Sequence, residues 1–218
     1  YSSCRQYLEN IADAQKQVGD DAPHIEKLRA FYNHPLFIEA NLEQTRTALA
    51  KFPEHQHSSA HLVYTAHSIP ISMAQNCEYE AQLKETGRLI AEELGVKEWQ
   101  LVFQSRSGPP MQPWLGPDVC DYLRELKARG VNDVVVAPIG FVCDHMEVIY
   151  DLDLEARQVC DQIGLNMQRA ATAGTHPAFV KMVRELIIER LDPTVPRRFL
   201  GARGAAYDTC RPDCCSKG

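Results

Sequence analysis

The stretch "VVVAPI" at 134–139 constrains the fold more than any other, because it is a short apolar run without a polar interruption. A strand with one solvated face alternates apolar and polar residues, whereas a strand covered by helices on both faces is almost continuously apolar. The stretch "HLVYTAH" at 61–67 is also short and contains β-branched residues. These two stretches therefore predict strands in a sheet that is buried on both faces.

Helical segments alternate with strand-like segments along most of the chain. The predicted strands cover 24–31, 61–67, 98–105, 132–139 and 166–171. The predicted helices cover 4–19, 35–51, 77–95, 118–129, 144–163 and 177–191. A strand followed by a helix, repeated in this way, forms right-handed crossovers and a parallel sheet. We therefore predict an α/β fold, a doubly wound three-layer α/β/α sandwich.

The same pattern divides the chain into three parts. We expect residues 1–19 to be a helix that leads in from a missing N-terminal domain, because the chain starts without a methionine. Residues 20–192 hold the alternating pattern and form the predicted α/β domain. Residues 193–218 have neither a helical nor a strand period, so this polar tail is expected to be ordered only where the rest of the molecule holds it.

The composition excludes several classes of protein. The chain has 218 residues, of which 44% are hydrophobic and 24% charged, enough for one substantial core. Its net charge of −6 argues against a nucleic-acid-binding protein, which needs a basic surface. No run of about 18 apolar residues occurs, so we expect no membrane span and a cytoplasmic location.

Polar residues follow three of the predicted strands. His67 ends the first, Gln104, Ser105 and Arg106 end the second, and the segment 140–147 follows the third. In open α/β sheets ligands bind outside the carboxyl ends of the strands. We therefore expect these residues to rim one crevice, although they are far apart in sequence.

Glu147, Asp151 and Glu155 are spaced four residues apart, which would stack three carboxylates on one face of a regular helix. One interpretation is a solvated acidic face. The other is a series of carboxylates that accepts protons or escorts a cation. His67 has the same two interpretations, as a hydrogen-bonded residue at a strand end or as a base, and a shared crevice favours the functional one for both.

Three stretches, which follow one another along the chain as in the family, resemble the ferrochelatases, which act at or near the end of haem biosynthesis. They are "YTAHSIP" (64–70), "FQSRSGPPMQPWLGP" (103–117) and "VVVAPIGFVCDHMEVIYDLDLEA" (134–156). The resemblance extends from Tyr1 to about Leu191. It implies a lyase with two similar doubly wound domains and a porphyrin cleft between them, of which this chain holds the second half.

The resemblance also assigns roles to the polar residues. It implies that His67 is the proton acceptor or a ligand of the iron substrate, and that Glu147 faces it across the macrocycle. Asp151, where many relatives carry glutamate, would be a further iron ligand, and Glu155 would continue the acidic series. Asp144 and His145 belong to the same motif, with Asp144 orienting its neighbours.

Further residues are assigned to the cleft. The resemblance implies that Trp114 is a structural or porphyrin-edge aromatic and that Gln104 and Ser105 line the cleft. Arg106 either pairs with a porphyrin propionate or forms a surface ion pair. The chemistry is compatible with these residues, because a neutral imidazole can accept a pyrrole proton, and oxygen and nitrogen ligands hold Fe²⁺ without trapping it.

The opening "YSSCRQY" resembles the coproporphyrin ferrochelatases of the Gram-positive branch. Coproporphyrin III, with four propionates, is therefore favoured as the substrate over protoporphyrin IX, and haem-pathway enzymes are possible partners. Two alternatives stay open. The chain could load cobalt or nickel into another tetrapyrrole, or it could be a non-catalytic iron- or haem-binding sensor.

Eight cysteines fall into two groups. We interpret Cys77, Cys120, Cys143 and Cys160 as small buried hydrophobes in a reducing compartment. Some ferrochelatases hold a [2Fe-2S] cluster on three C-terminal cysteines and one internal cysteine, and the resemblance assigns these positions to Cys210, Cys214, Cys215 and Cys4. A structural zinc site, a vicinal disulfide and free thiols are the alternatives for this iron-sulfur assignment.

Overall fold

The structure, a computed structural model, describes residues 3–109 and 111–209, without the side chains of Ser3 and Cys4. Four strands alternate with helices. The strands are β1 His61–His67, β2 Trp99–Gln104, β3 Asp133–Ala137 and β4 Asn166–Arg169. The helices are α1 Ser3–Val18, α2 Pro35–Leu49, α3 Ile71–Ala74, α4 Tyr79–Leu94, α5 Val119–Ala128, α6 Met146–Val148, α7 Arg157–Ile163 and α8 Pro177–Leu191. A π-helix, Ile149–Ala156, joins α6 to α7, and short 3₁₀ turns lie at Gly19–Asp21 and Glu54–Gln56.

The strands form one parallel sheet in the order β2-β1-β3-β4. The chain passes from β1 outward to β2, and from β3 outward in the opposite direction to β4. The order therefore reverses between β1 and β3, where a doubly wound sheet opens a crevice at its carboxyl edge. His67 ends β1 at this point, and the segment after β3 leads to Glu147.

Helices cover both faces of the sheet. On one face α2 and α4 pack on the strands, with Leu42 and Ile90 against Tyr64 of β1. On the other face α5, the π-helix and α7 pack on Val63 and its neighbours, with Leu123 and Leu152 fully buried. Helix α8 packs outside the sandwich against α2. The predicted three-layer α/β/α fold is confirmed.

The predicted strand at 24–31 is wrong, because the structure has neither helix nor strand there. The segment instead inserts Arg29, which is 2% exposed, under α8. Arg29 donates to both carboxylate oxygens of Glu189, at 2.7 and 3.0 Å, and to the carbonyl of Arg198 at 2.8 Å. A buried charge must be paired, and this pairing fixes the segment without a strand partner.

The predicted regular helix at 144–163 is also corrected. It begins at Met146, and its middle eight residues form the π-helix, whose hydrogen bonds join residues five apart instead of four. The wider turn removes the stacking that four-residue spacing gives in an α-helix. Glu147 therefore faces His67, whereas Asp151 accepts hydrogen bonds from Gln104 and Ser105.

The described part of the tail, 193–209, has no helix or strand but is held by hydrogen bonds. Leu200 and Asn33 exchange two of them, at 2.9 and 3.1 Å, and Asn33 also donates to the carbonyl of Gly204 at 2.8 Å. Arg203 pairs with Glu78, just before α4. The rest of the molecule thus holds this segment, as its polar composition requires.

The cysteine predictions are partly right. Cys160 is buried, and Cys77 and Cys120 are partly buried, whereas Cys143 is exposed. Cys143 lies in the loop after β3 and not in a packed element, so its interpretation as a buried hydrophobe is wrong. Cys210, Cys214, Cys215 and the side chain of Cys4 lie outside the described residues. Across the part of the chain that is described, no helix combines the length and apolarity needed to cross a membrane.

Candidate active site

His67 presents one ring nitrogen to the crevice and uses the other internally. Its Nδ1 donates to the backbone carbonyl of Ser68. A carbonyl oxygen only accepts, so the proton must lie on Nδ1. In its neutral form the imidazole therefore has its lone pair on Nε2, and 37% of the side chain is exposed. This is the arrangement of a base or a metal ligand.

Glu147 faces that lone pair from α6. Its Oε1 lies 3.5 Å from Nε2 of His67. The same oxygen is buried and, among the described residues, has no hydrogen-bond partner. When the imidazole is neutral, two acceptor atoms thus face each other. Ligand atoms about 2.1 Å from one divalent ion are about 3.4 Å apart at a tetrahedral angle, so this separation suits a bound cation as well as a proton.

Asp151 is held by the residues that end β2. Its Oδ2 accepts from Nε2 of Gln104 at 3.0 Å and from the hydroxyl of Ser105. Gln104 is 1% exposed, and Ser105 has a positive φ of 62°, which non-glycine residues rarely adopt. The end of β2 therefore turns sharply and directs two donors at one carboxylate of the π-helix.

Glu155 lines a groove between α5 and α7, and His67 is not part of this lining. This groove has a volume of about 590 Å³. Its lining includes Gln104, Ser105, Arg106, Asp118, Asp151 and Glu155. The acidic series is therefore divided: Glu147 faces the histidine, whereas Asp151 and Glu155 line the groove. Arg106 is exposed and donates to the carbonyl of Gln112 at 3.1 Å.

Asp144 binds an arginine that sequence reasoning missed. Nη1 of Arg169 donates to Asp144 at 2.8 Å, and its Nε and Nη2 form a bidentate pair with Asp153 at 2.6 and 2.9 Å. Although burial opposes the charge, the hydrogen bonds and charges of Asp153 and Asp144 raise the pKa of Arg169. Arg169 thus ties the loop after β3 to the π-helix. Its position at the end of β4 was the available signal.

His145 and Trp114 have packing contacts. His145 lies just before α6, and its ring packs edge-to-face on Phe141 with centroids 5.4 Å apart. Trp114 fills the space beside Gly108, where a Cβ would lie 2.4 Å from the indole nitrogen. Leu115 donates to the carbonyl of Ile69 at 2.9 Å. The loop that carries Trp114 is therefore fastened to the segment after His67.

Comparisons with known proteins identify a family that matches most of this chain. The family model described as Ferrochelatase matches residues 1–191. Similar curated proteins include a ferrochelatase from Rhodopirellula baltica, 48% identical over 99% of this chain and 61% of its own length. A coproporphyrin III ferrochelatase from Nocardia farcinica is 46% identical, with 99% and 65% covered. Another, from Mycolicibacterium vanbaalenii, is 44% identical, with 98% and 66% covered.

The chain thus spans about three fifths to two thirds of the length of these curated relatives. Among solved structures, SirB from Bacillus subtilis with Fe³⁺ matches with a TM-score of 0.52 at 16% identity, over 85% of this chain and 66% of that one. The sirohydrochlorin chelatase SirB in complex with cobalt matches with a TM-score of 0.50 at 16% identity, over 84% and 62%. At this identity the likeness shows the chelatase-like fold alone.

Proposed function

Because the chain belongs to the ferrochelatase family, we propose that it carries the site where ferrous iron enters a porphyrin during haem biosynthesis. The observation that supports this most is the facing pair of His67 and Glu147, with an Nε2 lone pair and an unpartnered buried oxygen 3.5 Å apart. We place this reaction in the cytoplasm and propose that the chain is the second of two similar domains.

The pair provides the two proton acceptors that metal insertion needs. When Fe²⁺ enters the macrocycle, two pyrrole N–H bonds break and two protons leave, so that the iron replaces them without any change of oxidation state. Nε2 of His67 accepts one proton, while Nδ1 keeps its own through Ser68. Oε1 of Glu147 accepts the other.

The same two side chains bind the iron before insertion. Imidazole and carboxylate ligands bind Fe²⁺ without the grip of a thiolate site, so the ion can be released to the porphyrin. We propose that Asp151 is a third ligand or a relay. Its Oδ2 is already used by Gln104 and Ser105, which supports a fixed orientation for that carboxylate. Glu155 and the groove would then form part of the route by which iron arrives.

We propose coproporphyrin III as the porphyrin in preference to protoporphyrin IX. The supporting observation is that similar proteins from Nocardia and Mycolicibacterium are named coproporphyrin III ferrochelatase. Arg106 is exposed beside the groove and is the proposed propionate partner. The test compares insertion rates for the two porphyrins in the full-length protein, and faster insertion into protoporphyrin IX would overturn this choice.

We also propose a [2Fe-2S] cluster on Cys4, Cys210, Cys214 and Cys215. Four thiolates fit the ligand number of such a cluster, which would stabilise the tail when bound. Asp208, two residues before Cys210, pairs with Arg197 and, at 3.7 Å, with Arg190, so the chain is held up to the start of the cysteine group. Purified protein should contain iron and acid-labile sulfide, both lost in Cys214→Ser. Bound zinc without iron would contradict the cluster.

The main experiment mixes the full-length protein with ferrous iron and porphyrin and follows metal insertion by absorbance. His67→Ala and Glu147→Gln should each lower the rate by at least about 100-fold, because each removes a proton acceptor. Glu125→Gln, an exposed acid on α5, is the matched control and should keep the wild-type rate. Full activity in both site variants would reject the proposal. Faster insertion of cobalt or nickel, or binding without insertion, would favour the two alternatives.

A further inference from the structure

We propose that Tyr79, which lies outside the acidic series and the strand ends, is a positioning residue that fixes the imidazole of His67. The inference rests on the proposed role of His67. Tyr79 is the first residue of α4, twelve positions after the histidine, and its hydroxyl donates to the backbone carbonyl of His67 at 3.0 Å. No sequence pattern pointed to this contact.

The contact matters because β1 ends at His67. On the β3 side the pairing of β1 stops at Tyr64, opposite Ala137. On the β2 side, the N–H of Ser68 donates to the carbonyl of Gln104 at 2.8 Å. The peptide between His67 and Ser68 is therefore held at both ends, its carbonyl by Tyr79 and its N–H by β2.

This peptide controls the ring. Nδ1 of His67 donates to the carbonyl of Ser68, the next acceptor along the same backbone. If the 67–68 peptide were not held, the backbone torsions at His67 and Ser68 could change, which would shift the Ser68 carbonyl of the next peptide away from the ring. Nδ1 could then lose its proton to Nε2, and the lone pair would no longer face Glu147. By holding the peptide, Tyr79 fixes both the tautomer and the direction of Nε2.

Tyr79 is suited to this task because it stays a neutral donor. Burial, with contributions from Cys77 and Glu147, raises the pKa of its hydroxyl. Its ring packs against the core on the α2 and α4 face of the sheet. Tyr79→Phe would therefore keep the packing and remove only the donor.

Tyr64 provides a matched control. It is also buried, and its hydroxyl has no hydrogen-bond partner among the described residues. Tyr64→Phe removes the same atom from β1, the strand that ends at His67, without removing a hydrogen bond. Any effect of Tyr79→Phe that Tyr64→Phe lacks can be ascribed to the bond with His67.

The experiment records two-bond ¹H–¹⁵N spectra of the full-length protein labelled with ¹⁵N-histidine, with His67 assigned from the spectrum of His67→Ala. Wild type and Tyr64→Phe should show the Nδ1–H tautomer. Tyr79→Phe should show a mixture of tautomers, and 4-aminophenylalanine at position 79, which retains a donor, should restore the wild-type signals. In insertion assays, kcat of Tyr79→Phe should fall roughly five- to tenfold with KM for porphyrin unchanged, the equivalent of one hydrogen bond.

An unchanged His67 spectrum in Tyr79→Phe, with or without a lower melting temperature, would overturn the proposal and leave Tyr79 a packing residue. The spectra do not depend on catalysis. If the wild-type protein inserts no iron, the proposed function fails, while a tautomer change in Tyr79→Phe still supports the positioning role.

Discussion

At the scale of single residues, the site depends on close approaches that leave no room for an added atom. A Cβ on Gly140 would lie 2.5 Å from Cβ of Ala66 and 2.7 Å from its Cα. The loop after β3 thus touches the backbone of β1 one residue before His67. This contact brings the loop that leads to Glu147 against the strand that carries the histidine.

We expect Gly140→Ala to destabilise the protein by roughly 1–3 kcal/mol, because one of the two backbones must move. Urea unfolding measures the change. Gly116→Ala is the matched control, since the nearest atom to its added Cβ is 3.9 Å away. If the two variants were equally stable, the loop after β3 would be able to move away from β1 at no cost in free energy.

Arg169 offers a second test at this scale. Arg169→Lys keeps the charge but loses the planar fork that binds Asp153 at two atoms and reaches Asp144 as well. We expect a loss of about 1–3 kcal/mol in the free energy of unfolding. The exposed pair of Arg124 and Asp121 is the control, and Arg124→Lys should change stability by less than about 0.5 kcal/mol. If Arg169→Lys left the free energy of unfolding unchanged, the role of the planar guanidinium would be contradicted.

At the scale of elements, α2 and α8 are joined by a reciprocal arrangement. Each begins with a His-Pro pair in which Nδ1 of the histidine accepts from the backbone N–H two residues on, at 3.2 Å. Nε2 of His176 lies 2.9 Å from Glu43 of α2, and Nε2 of His34 lies 3.7 Å from Glu185 of α8. Each histidine thus caps its own helix and faces a carboxylate of the other.

This arrangement predicts a pH dependence of stability. Burial, together with the charges of Arg29 and Arg198, lowers the pKa of His34 to about 4, whereas an unfolded histidine titrates near 6.5. Between these values the unfolded chain binds a proton that the folded chain does not. The free energy of unfolding should therefore fall by about 1.4 kcal/mol for each pH unit from 6.5 down to 4.

His34→Asn should remove this contribution, because asparagine also caps a helix but does not titrate. Urea unfolding between pH 4.5 and 7.5 should give a smaller slope for the variant than for wild type. Identical slopes would mean that His34 does not carry the effect. Above about pH 7 the titration of His34 no longer changes the free energy of unfolding, because the histidine is neutral in both the folded and the unfolded chain.

At the scale of the whole molecule, a buried ion pair joins parts that are distant in sequence. The side chains of Arg29 and Glu189 are 1% and 7% exposed, and Arg29 also binds the backbone of the tail at Arg198. The segment before α2, the helix α8 and the tail thus meet at one guanidinium.

We expect Arg29→Met to lower the free energy of unfolding by about 3–5 kcal/mol, because the buried carboxylate of Glu189 is left with only the longer 3.9 Å contact to Arg197. The double variant Arg29→Met/Glu189→Leu should recover much of this loss, since no uncompensated charge remains. A double-mutant cycle in urea measures both. Additive losses in the double variant would show that the two residues act separately.

Much of the fold follows from local patterns. The layers could be predicted from the unbroken apolar run at 134–139 and from the alternation of strands and helices. Both signals depend only on the pattern of apolar and polar residues close together in sequence. The crevice that holds the candidate site was predicted in the same way, since strand ends in a parallel sheet meet at one edge. His67 and Gln104 are directly opposite each other in the observed register.

The failures have a common cause. The π-helix, the irregular segment around Arg29 and the binding of Asp144 by Arg169 all depend on atoms far away in sequence. Four-residue spacing cannot reveal an extra residue in a turn, and a basic residue does not indicate which acid it will bind.

The sequence by itself therefore determined the layers of this protein and the residues that surround its crevice, because those depend on the order of apolar and polar side chains. Only the tertiary structure decided which donors hold Asp151 and which tautomer the ring of His67 adopts. Both depend on the relative position of strand ends, a π-helix and Tyr79, and that position is fixed by packing and hydrogen bonds between distant segments.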